Sequence, residues 1–423
     1  MTTLNITVPV RRVGAPGAGL GGAWAALGLL LLTRALPFES RSLSAIVDAG
    51  PSAQNYVEVI STAIAAGWIL WALNWRAVQP RLLFRRHWRW FLLLCAVYAA
   101  SAAWSPMPAL TAYRVAELFA GGTIVLFLFG MSTDPYGDLL RLLYLCALAC
   151  AADALLASYR SGVWPDRLFG ALRSNQGGGV ASSFLVFALF AKGFRPRTRV
   201  FSSATAVVAL VLFGSLTSCV ALLAGILTGC ALAVRHRMVS TSLVCLLLSV
   251  TVVALRDVTF SDLTGQVGAL LDRPSESIQT GTGRLSLWQE TLKASAGRPF
   301  GSGYVAAERL MTLRGDVNKS LVWQAASSHN GFLSAWMGAG YIGLVVLCAY
   351  LIALWRTLSV AGGPNAGTLR TMLAVLMITN FSISSVGGRL DAVSVVAFAL
   401  AALPTAGACA GSWAPARSMW CRR

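Results

Sequence analysis

The sequence contains little charge and little histidine. Only 12% of its 423 residues are charged, about half of the ~25% share that is typical of soluble globular proteins. The chain has three histidines, 16 acidic residues and 34 basic residues. So few charges exclude an ordinary soluble domain. The net charge of +18 does not indicate nucleic-acid binding either, because the basic residues lie in short breaks between apolar blocks.

The apolar residues lie in long blocks. Hydrophobic residues make up 56% of the chain and the mean hydropathy is +0.67. Blocks of about 20 residues match a hydrocarbon core about 30 Å thick, whereas a membrane barrel has short alternating segments. The sequence therefore predicts an all-α polytopic membrane protein, a single integral domain over 1–423. The predicted spans are 19–37, 56–74, 90–105, 112–131, 138–157, 176–193, 200–214, 216–234, 239–255, 331–354, 369–386 and 391–408.

Basic breaks orient these spans. The breaks "WRAVQPRLLFRRHWR" (75–89) and "AKGFRPRTR" (191–199) belong in the cytoplasm by the positive-inside rule. Both termini are then cytoplasmic, and we expect a multi-pass membrane protein. His87 and His236 fall in cytoplasmic basic clusters, where a solvated position is the default expectation.

The same orientation makes residues 256–330 one long periplasmic loop. Nine cysteines occur in the chain, but this segment has none, so no disulfide framework supports it. In its stretch "GRLSLWQETLKASA", Leu285, Trp288 and Leu292 recur at helical spacing, which predicts an amphipathic helix with these three on one face.

Several polar residues are placed on the outer face by this topology. They are His329, Arg284, Arg167, Arg173 and Arg114. Arginine forks bind phosphate oxygens bidentately, and glycine breaks such as "NQGGG" (175–179) add backbone N–H donors. A neutral histidine beside these cations accepts a proton from a hydroxyl. The set suits attack by a sugar hydroxyl on a carbon that bears a diphosphate.

Each residue also has a purely structural interpretation. His329 lies in "SSHN", which is good helix-capping sequence. Arg284 suits the exposed side of an amphipathic helix, and Arg167 and Arg173 suit span ends where long side chains reach the interface. The intramembrane acids Glu117 and Asp153 are functional candidates or simple interhelical hydrogen-bonding groups.

Four stretches resemble the O-antigen ligase and polysaccharide polymerase superfamily. They are "AAWSPMPALTAYR" (102–114), "RLFGALRSNQGGGVASS" (167–183), "GTGRLSLWQETLKASAGRPFGSGY" (281–304) and "SSHNGFLSAWMGAGYIG" (327–343). They are similar to the family's Trp-Ser-x-x-Pro, Arg-x-x-Gly…Asn, Gly-Arg…Trp…Pro-x-Gly-x-Gly and His-Asn-x-Phe-Leu…Gly…Gly stretches. The last two are the most specific.

The resemblance implies a bundle of about 12 transmembrane helices like that of C-type glycosyltransferases. Its substrate would be an undecaprenyl-diphosphate-linked glycan, used without a metal or other cofactor. The family's histidine carries over to His329, and its two arginines to Arg284 and to Arg167, for which Arg173 is an alternative. The supporting residues are Asn330, Asn175, Ser328 and Trp288, although Ser174-Asn175-Gln176 departs from the family's usual Asn-Pro-Asn-like or His-Pro-Asn-like tripeptide.

Three functions follow as hypotheses. The first is polymerisation of exopolysaccharide or O-antigen repeat units on the periplasmic face. The second is an O-antigen ligase that joins the glycan to lipid A–core. The third is a secondary transporter or a lipid-oligosaccharide flippase, which the short break after the sixth span disfavours. Expected partners are membrane lipids, the lipid-linked oligosaccharide, a chain-length regulator and export proteins.

Overall fold

The described part of the chain is a bundle of α-helices. The computed structural model describes residues 16–35, 53–74, 80–85, 87–161, 174–233, 284–308, 329–361 and 363–405. Within these ranges there is no β-strand. The helices are α1 (Pro16–Ala35), α2 (Ala53–Asn74), α3 (Trp88–Ala100), α4 (Pro108–Met131), α5 (Pro135–Ser161), α6 (Asn175–Phe190), α7 (Pro196–Phe213), α8 (Leu216–Ala233), α9 (Arg284–Ser295), α10 (Gly331–Ala361), α11 (Ala366–Thr379) and α12 (Ala392–Ala402).

The helices have the length and composition of membrane spans. Five of those described are long and apolar enough to cross a bilayer, and they correspond to α2, α4, α5, α7 and α10. Eleven of the twelve predicted spans coincide with a helix, and the predicted span 239–255 lies outside the described residues. The prediction of an all-α polytopic membrane protein is confirmed.

Helices α6 and α12 lie at the centre of the bundle. Helix α6 packs against α5, α7, α8, α11 and α12, and α12 also packs against α4 and α10. Every residue of α12 is buried, and so are residues 177–188 of α6. A helix that is apolar on all sides is expected at such a central position.

The glycine run at the start of α6 allows this close packing. A Cβ atom at Gly177 would lie 2.6 Å from the Phe213 ring, and one at Gly179 would lie 2.6 Å from Thr379 Cγ2. The amides of Gly177 and Gly178 donate to the hydroxyl and the carbonyl of Ser174. The helix cap therefore uses these two of the amides in the glycine break 175–179 that was expected to offer N–H donors to an anion.

The eleventh predicted span is shorter than its hydropathy indicates. It was expected to reach residue 386, but α11 ends at Thr379. The Asn380 side chain accepts a hydrogen bond from Val386 N and donates one to Val386 O, each at 2.9 Å. These two bonds close a compact loop. Most of the residues from Asn380 to Asp391, which we call the α11–α12 segment, are buried without forming a helix, whereas Phe381 and Arg389 are exposed.

Helix α9 confirms the predicted helix. Leu292 is 40% exposed, whereas Thr291 is only 1% exposed and Ser295 is also buried. Trp288 is half-buried. Thr291 and Ser295 are thus the buried ones among the described side chains of α9, which packs against α10.

His87 is also not a solvated residue. It is buried, and its Nε2 atom lies 2.7 Å from the Ala401 carbonyl oxygen near the end of α12. Burial lowers the pKa of His87, the hydrogen bond opposes this effect, and the neighbouring Arg85 charge lowers it further. His87 therefore fastens the start of α3 to the end of α12. His236 lies outside the described residues.

Candidate functional site

The backbone of His329 adopts a conformation that is uncommon for a residue with a side chain. Its φ angle is +49°, in the left-handed region, where non-glycine residues are rare and histidine is among the more tolerant. Helix α10 begins two residues later. The Asn330 side chain accepts hydrogen bonds from the amides of Phe332 (3.0 Å) and Leu333 (3.1 Å). Asn330 thus has the predicted capping role, and its hydrogen bonds fix the position of His329 just before the helix.

The start of α10 is fastened to the α11–α12 segment. The Asn330 amide donates to Ser384 Oγ at 3.1 Å, and the Gly331 amide donates to Asn380 O at 2.9 Å. A Cβ atom at Gly331 would collide with the Asn380 side chain and the Val386 carbonyl. Glycine is therefore required here so that His329 can lie against this segment.

Two tyrosines hold the α11–α12 segment from the opposite side. Tyr98 Oη donates to Gly387 O at 2.8 Å, and Tyr304 Oη donates to Gly388 O. Their rings stack with centroids 4.1 Å apart, and both residues are fully buried. The adjacent Arg389 is exposed, so a rigid backbone presents this arginine at the surface.

A cavity of about 240 Å³ opens beside His329. Its lining comes from α5, from the start of α6 and the residue before it, from His329 before α10 and from the α11–α12 segment. The lining residues are Asp153, Ala154, Ala157, Ser174, Asn175, Gln176, His329, Ile383, Ser384 and Arg389. The structure therefore brings together His329 and Asn175, two residues that the sequence motifs single out 154 positions apart in the chain.

The Asn175 side chain is oriented by α8. Its Oδ1 atom accepts a hydrogen bond from Ser215 Oγ at 2.9 Å, and Ser215 is buried just before α8 begins. Ser174 caps α6 by accepting from Gly177 N. Asn175 is thus a positioned polar group on the cavity wall, although the tripeptide around it departs from the family pattern.

Three of the four motif stretches interlock behind the cavity. The residues from Pro299 to Tyr304 lie along α10, where the amides of Ser302 and Gly303 donate to the carbonyls of Met337 (2.8 Å) and Gly338 (2.9 Å). In the opposite direction, the amide of Tyr341 on α10 donates a hydrogen bond to the Pro299 carbonyl oxygen at 3.1 Å. The helix is broken at this place, at Ala339 and Gly340. The Pro-x-Gly-x-Gly motif and the Gly…Gly motif therefore form one structural unit.

The Trp-Ser stretch completes this unit. Trp104 Nε1 donates to Phe300 O at 3.1 Å, and Tyr304 N donates to Ser101 Oγ at 3.0 Å. Thr111 Oγ1 donates to Tyr304 O at 3.2 Å. These contacts join the residues after α3 and the start of α4 to residues 300–304, which lie along α10. They support the cavity without lining it.

The structure does not bring Arg114 to the cavity. The guanidinium of Arg114 pairs with Glu117 at 2.7 Å and with Glu58 at 3.1 Å. Arg34 also pairs with Glu117, and it donates to Thr62 and Tyr113, each at 3.0 Å. This charge network joins α1, α2 and α4. It gives Arg114, and also the intramembrane Glu117, an interhelical role.

Other expected site residues cannot be placed against the cavity. Arg284 is the first residue of α9, but its side chain lies outside the described residues, as do Arg167, Arg173 and Ser328 entirely. Trp288 lies on α9 and does not line the cavity. The diphosphate-binding roles of these arginines remain predictions.

Three cavity or near-cavity residues were missed from the sequence. Arg389 and Ser384 line the cavity, and the Glu308 carboxylate accepts hydrogen bonds from Ser334 Oγ and Ser384 Oγ. A sequence signal existed for Arg389, because "GGRLD" places an arginine in the short outer break before the last span. No pattern distinguished Glu308 or Ser384 from other loop residues.

Comparison with known proteins agrees with the motif resemblance. No curated protein matches the chain. The family model described as O-antigen ligase matches residues 201–348, a segment that begins within α7, includes α8 and α9, and ends within α10. This segment contains His329 and its motif. Such a domain indicates a glycan ligase or polymerase activity in general. The match confirms that residues 201–348 are similar to the O-antigen ligase family, in agreement with the resemblance of the sequence motifs to that superfamily.

Proposed function

We propose that the protein transfers glycan from an undecaprenyl-diphosphate-linked donor to a saccharide acceptor, polymerising exopolysaccharide or O-antigen repeat units. The supporting observation is the placement of His329, within the segment that matches the O-antigen ligase family. The backbone of His329, two residues before α10 begins, is in the left-handed conformation. His329 also lines a polar cavity together with Asn175. Residues in sparsely populated backbone conformations often occur at functional sites.

The proposed reaction assigns one task to each group. The imidazole of His329 accepts the proton of an acceptor hydroxyl, and the oxygen forms a bond to the anomeric carbon of the donor sugar. The bond from that carbon to the diphosphate breaks, and undecaprenyl diphosphate leaves with the electron pair. Arg284, together with Arg167 or Arg173, stabilises the charge on the leaving group through bidentate contacts. No metal or cofactor enters this scheme.

The proposed site faces the periplasm of a bacterial inner membrane, and both termini are cytoplasmic. The two basic breaks at 75–89 and 191–199 support this orientation, since positive residues stay on the cytoplasmic side. The break that carries Arg389 and the residues before α10 then lie on one outer face, in agreement with their shared cavity.

An O-antigen ligase is the second candidate. The donor chemistry would be the same, and only the acceptor, lipid A–core instead of another repeat unit, would differ. The description of the matching family favours this candidate. A flippase or transporter is the third candidate, but the buried carboxylates of the described bundle are held by local partners. Glu58 and Glu117 pair with Arg114, Asp138 pairs with Arg141, and Asp391 caps α12.

Reconstitution separates these functions. Full-length protein in liposomes would receive an undecaprenyl-diphosphate-linked repeat unit, and products would be resolved by size. A ladder of longer lipid-linked glycans that disappears in His329→Ala is the expected result. Transfer that requires added lipid A–core would instead establish the ligase. Movement of the lipid-linked unit between leaflets without any product would contradict the transferase proposal.

A further inference from the structure

The cavity beside His329 contains two opposite charges. Asp153 comes from α5 and Arg389 comes from the α11–α12 segment, and both line the cavity. Asp153 is half-buried on α5, and the charge of Arg389 acts on its carboxylate. A carboxylate kept in a membrane helix commonly marks a functional site.

This charge balance argues against a diphosphate in the cavity. With His329 neutral, the ionised groups on the described lining are Asp153 and Arg389, so their charges cancel. A diphosphate needs an excess of positive charge around it, and a neighbouring carboxylate repels it. The remaining lining groups are neutral amides and hydroxyls from Ser174, Asn175, Gln176 and Ser384.

The same groups suit a sugar ring. A carboxylate offers two oxygens that accept hydrogen bonds from neighbouring hydroxyls, whereas the guanidinium offers several donors in a fixed plane. The cavity volume of about 240 Å³ is below the ~300–1,000 Å³ of pockets for drug-sized ligands, which suits one sugar residue rather than an oligosaccharide. Ala154 and Ala157 leave space along the α5 wall.

We infer that this cavity binds the terminal sugar of the acceptor, and that Asp153 and Arg389 are the residues that bind its hydroxyls and select the sugar. This inference rests on the proposed function, in which His329 takes the proton of the acceptor hydroxyl. The sugar is a neutral pyranose with two adjacent hydroxyls facing Asp153. The donor diphosphate binds outside the cavity.

Binding can be measured without any transfer reaction. Full-length protein in nanodiscs would be titrated by saturation-transfer NMR with methyl glycosides of glucose, galactose, mannose and N-acetylglucosamine, and separately with inorganic pyrophosphate. We expect at least one glycoside to bind the wild-type protein. Asp153→Asn and Arg389→Gln should each weaken its binding about tenfold or more, because each removes a charged hydrogen-bonding partner. Pyrophosphate should not compete with the glycoside.

Matched controls separate the site from general surface effects. Asp134→Asn and Arg197→Gln make the same chemical changes at exposed positions away from the cavity, and glycoside binding should not change. Ala157→Phe keeps both charges but fills the space beside them, and it should also abolish glycoside binding. This variant keeps the test decisive if Asp153→Asn proves unstable.

The outcomes distinguish this inference from the proposed function. If no glycoside binds, or if binding is unchanged in Asp153→Asn and Arg389→Gln, the two residues are only a structural pair and the inference is wrong. If pyrophosphate displaces the glycoside, the cavity binds the diphosphate instead. Glycoside binding that depends on Asp153, in a protein that makes no product in liposomes, would retain the sugar site and reject the transferase. In an active protein, Asp153→Asn should raise the acceptor KM about tenfold while kcat changes little.

Discussion

The carbonyl oxygen of Pro299 occupies the break in α10 beside Gly340. Tyr341 N donates to this oxygen at 3.1 Å, and Gly340 has φ +65° and ψ −157°, a combination that is essentially restricted to glycine. A Cβ atom at Gly340 would collide with the Pro299 carbonyl. The break therefore depends on one glycine, and the segment that ends at Tyr304 is held in place through it.

Gly340→Ala should destabilise this interlock. The backbone conformation alone would cost about 1–3 kcal/mol, and the collision with Pro299 adds to that cost. We expect a lower thermal unfolding temperature in detergent and loss of glycan transfer. Gly28→Ala is the control, because nothing lies within 4 Å of a Cβ atom there. Equal stability of the two variants would show that the break does not need glycine.

Apolar block length predicted most of the helices, because a buried span needs a continuous apolar sequence. The same criterion failed at the end of α11. Phe381, Ile383 and Val386 continue the apolar pattern, yet the Asn380 side chain turns the backbone there. A local side-chain hydrogen bond overrides hydropathy at this point, and hydropathy alone cannot show it.

The sequence motifs identified part of the candidate site. His329 and Asn175 were identified and do share a cavity, because each lies at the start of a helix on the same predicted face. Arg389 was missed, since a single arginine in a short break carries no motif. The Arg114 pairing with Glu58 was not visible either, because residues 56 positions apart meet only when α2 and α4 pack.

His329→Asn is a specific test of the proposed base. Asparagine also tolerates positive φ, so the variant should keep the start of α10 and its thermal stability. It has no group that can accept the hydroxyl proton as a base. We expect glycan transfer to fall by about 10²–10⁴-fold in the liposome assay. His236→Ala, on the predicted cytoplasmic side, should keep near-wild-type transfer. A His329→Asn enzyme with normal activity would exclude the general-base role.

Arg284→Lys tests bidentate recognition of the donor diphosphate. Lysine keeps the positive charge but lacks the planar fork of arginine, so it cannot make two parallel contacts to phosphate oxygens. We expect at least a tenfold loss of transfer, with normal membrane insertion and abundance. Arg197→Lys, an exposed position on α7, is the matched control and should be silent. If Arg284→Lys transfers glycan as well as wild type, positive charge alone is sufficient at that position.

Variants of Arg114 distinguish a structural role in helix packing from a role in donor binding. Glu117 is fully buried and Arg114 nearly so, and removal of one partner of a buried ion pair costs about 3–5 kcal/mol. Arg114→Ala should therefore lower the thermal unfolding temperature strongly. The double change Arg114→Met with Glu117→Gln should regain much of that stability, since one cation, Arg34, then remains with one carboxylate, Glu58, instead of two. Transfer per folded molecule would be measured in the same preparations.

If the double variant is stable and active, Arg114 serves helix packing through α1, α2 and α4. If it is stable but inactive, Arg114 contributes to donor binding, as its position at the start of the fourth predicted span first indicated.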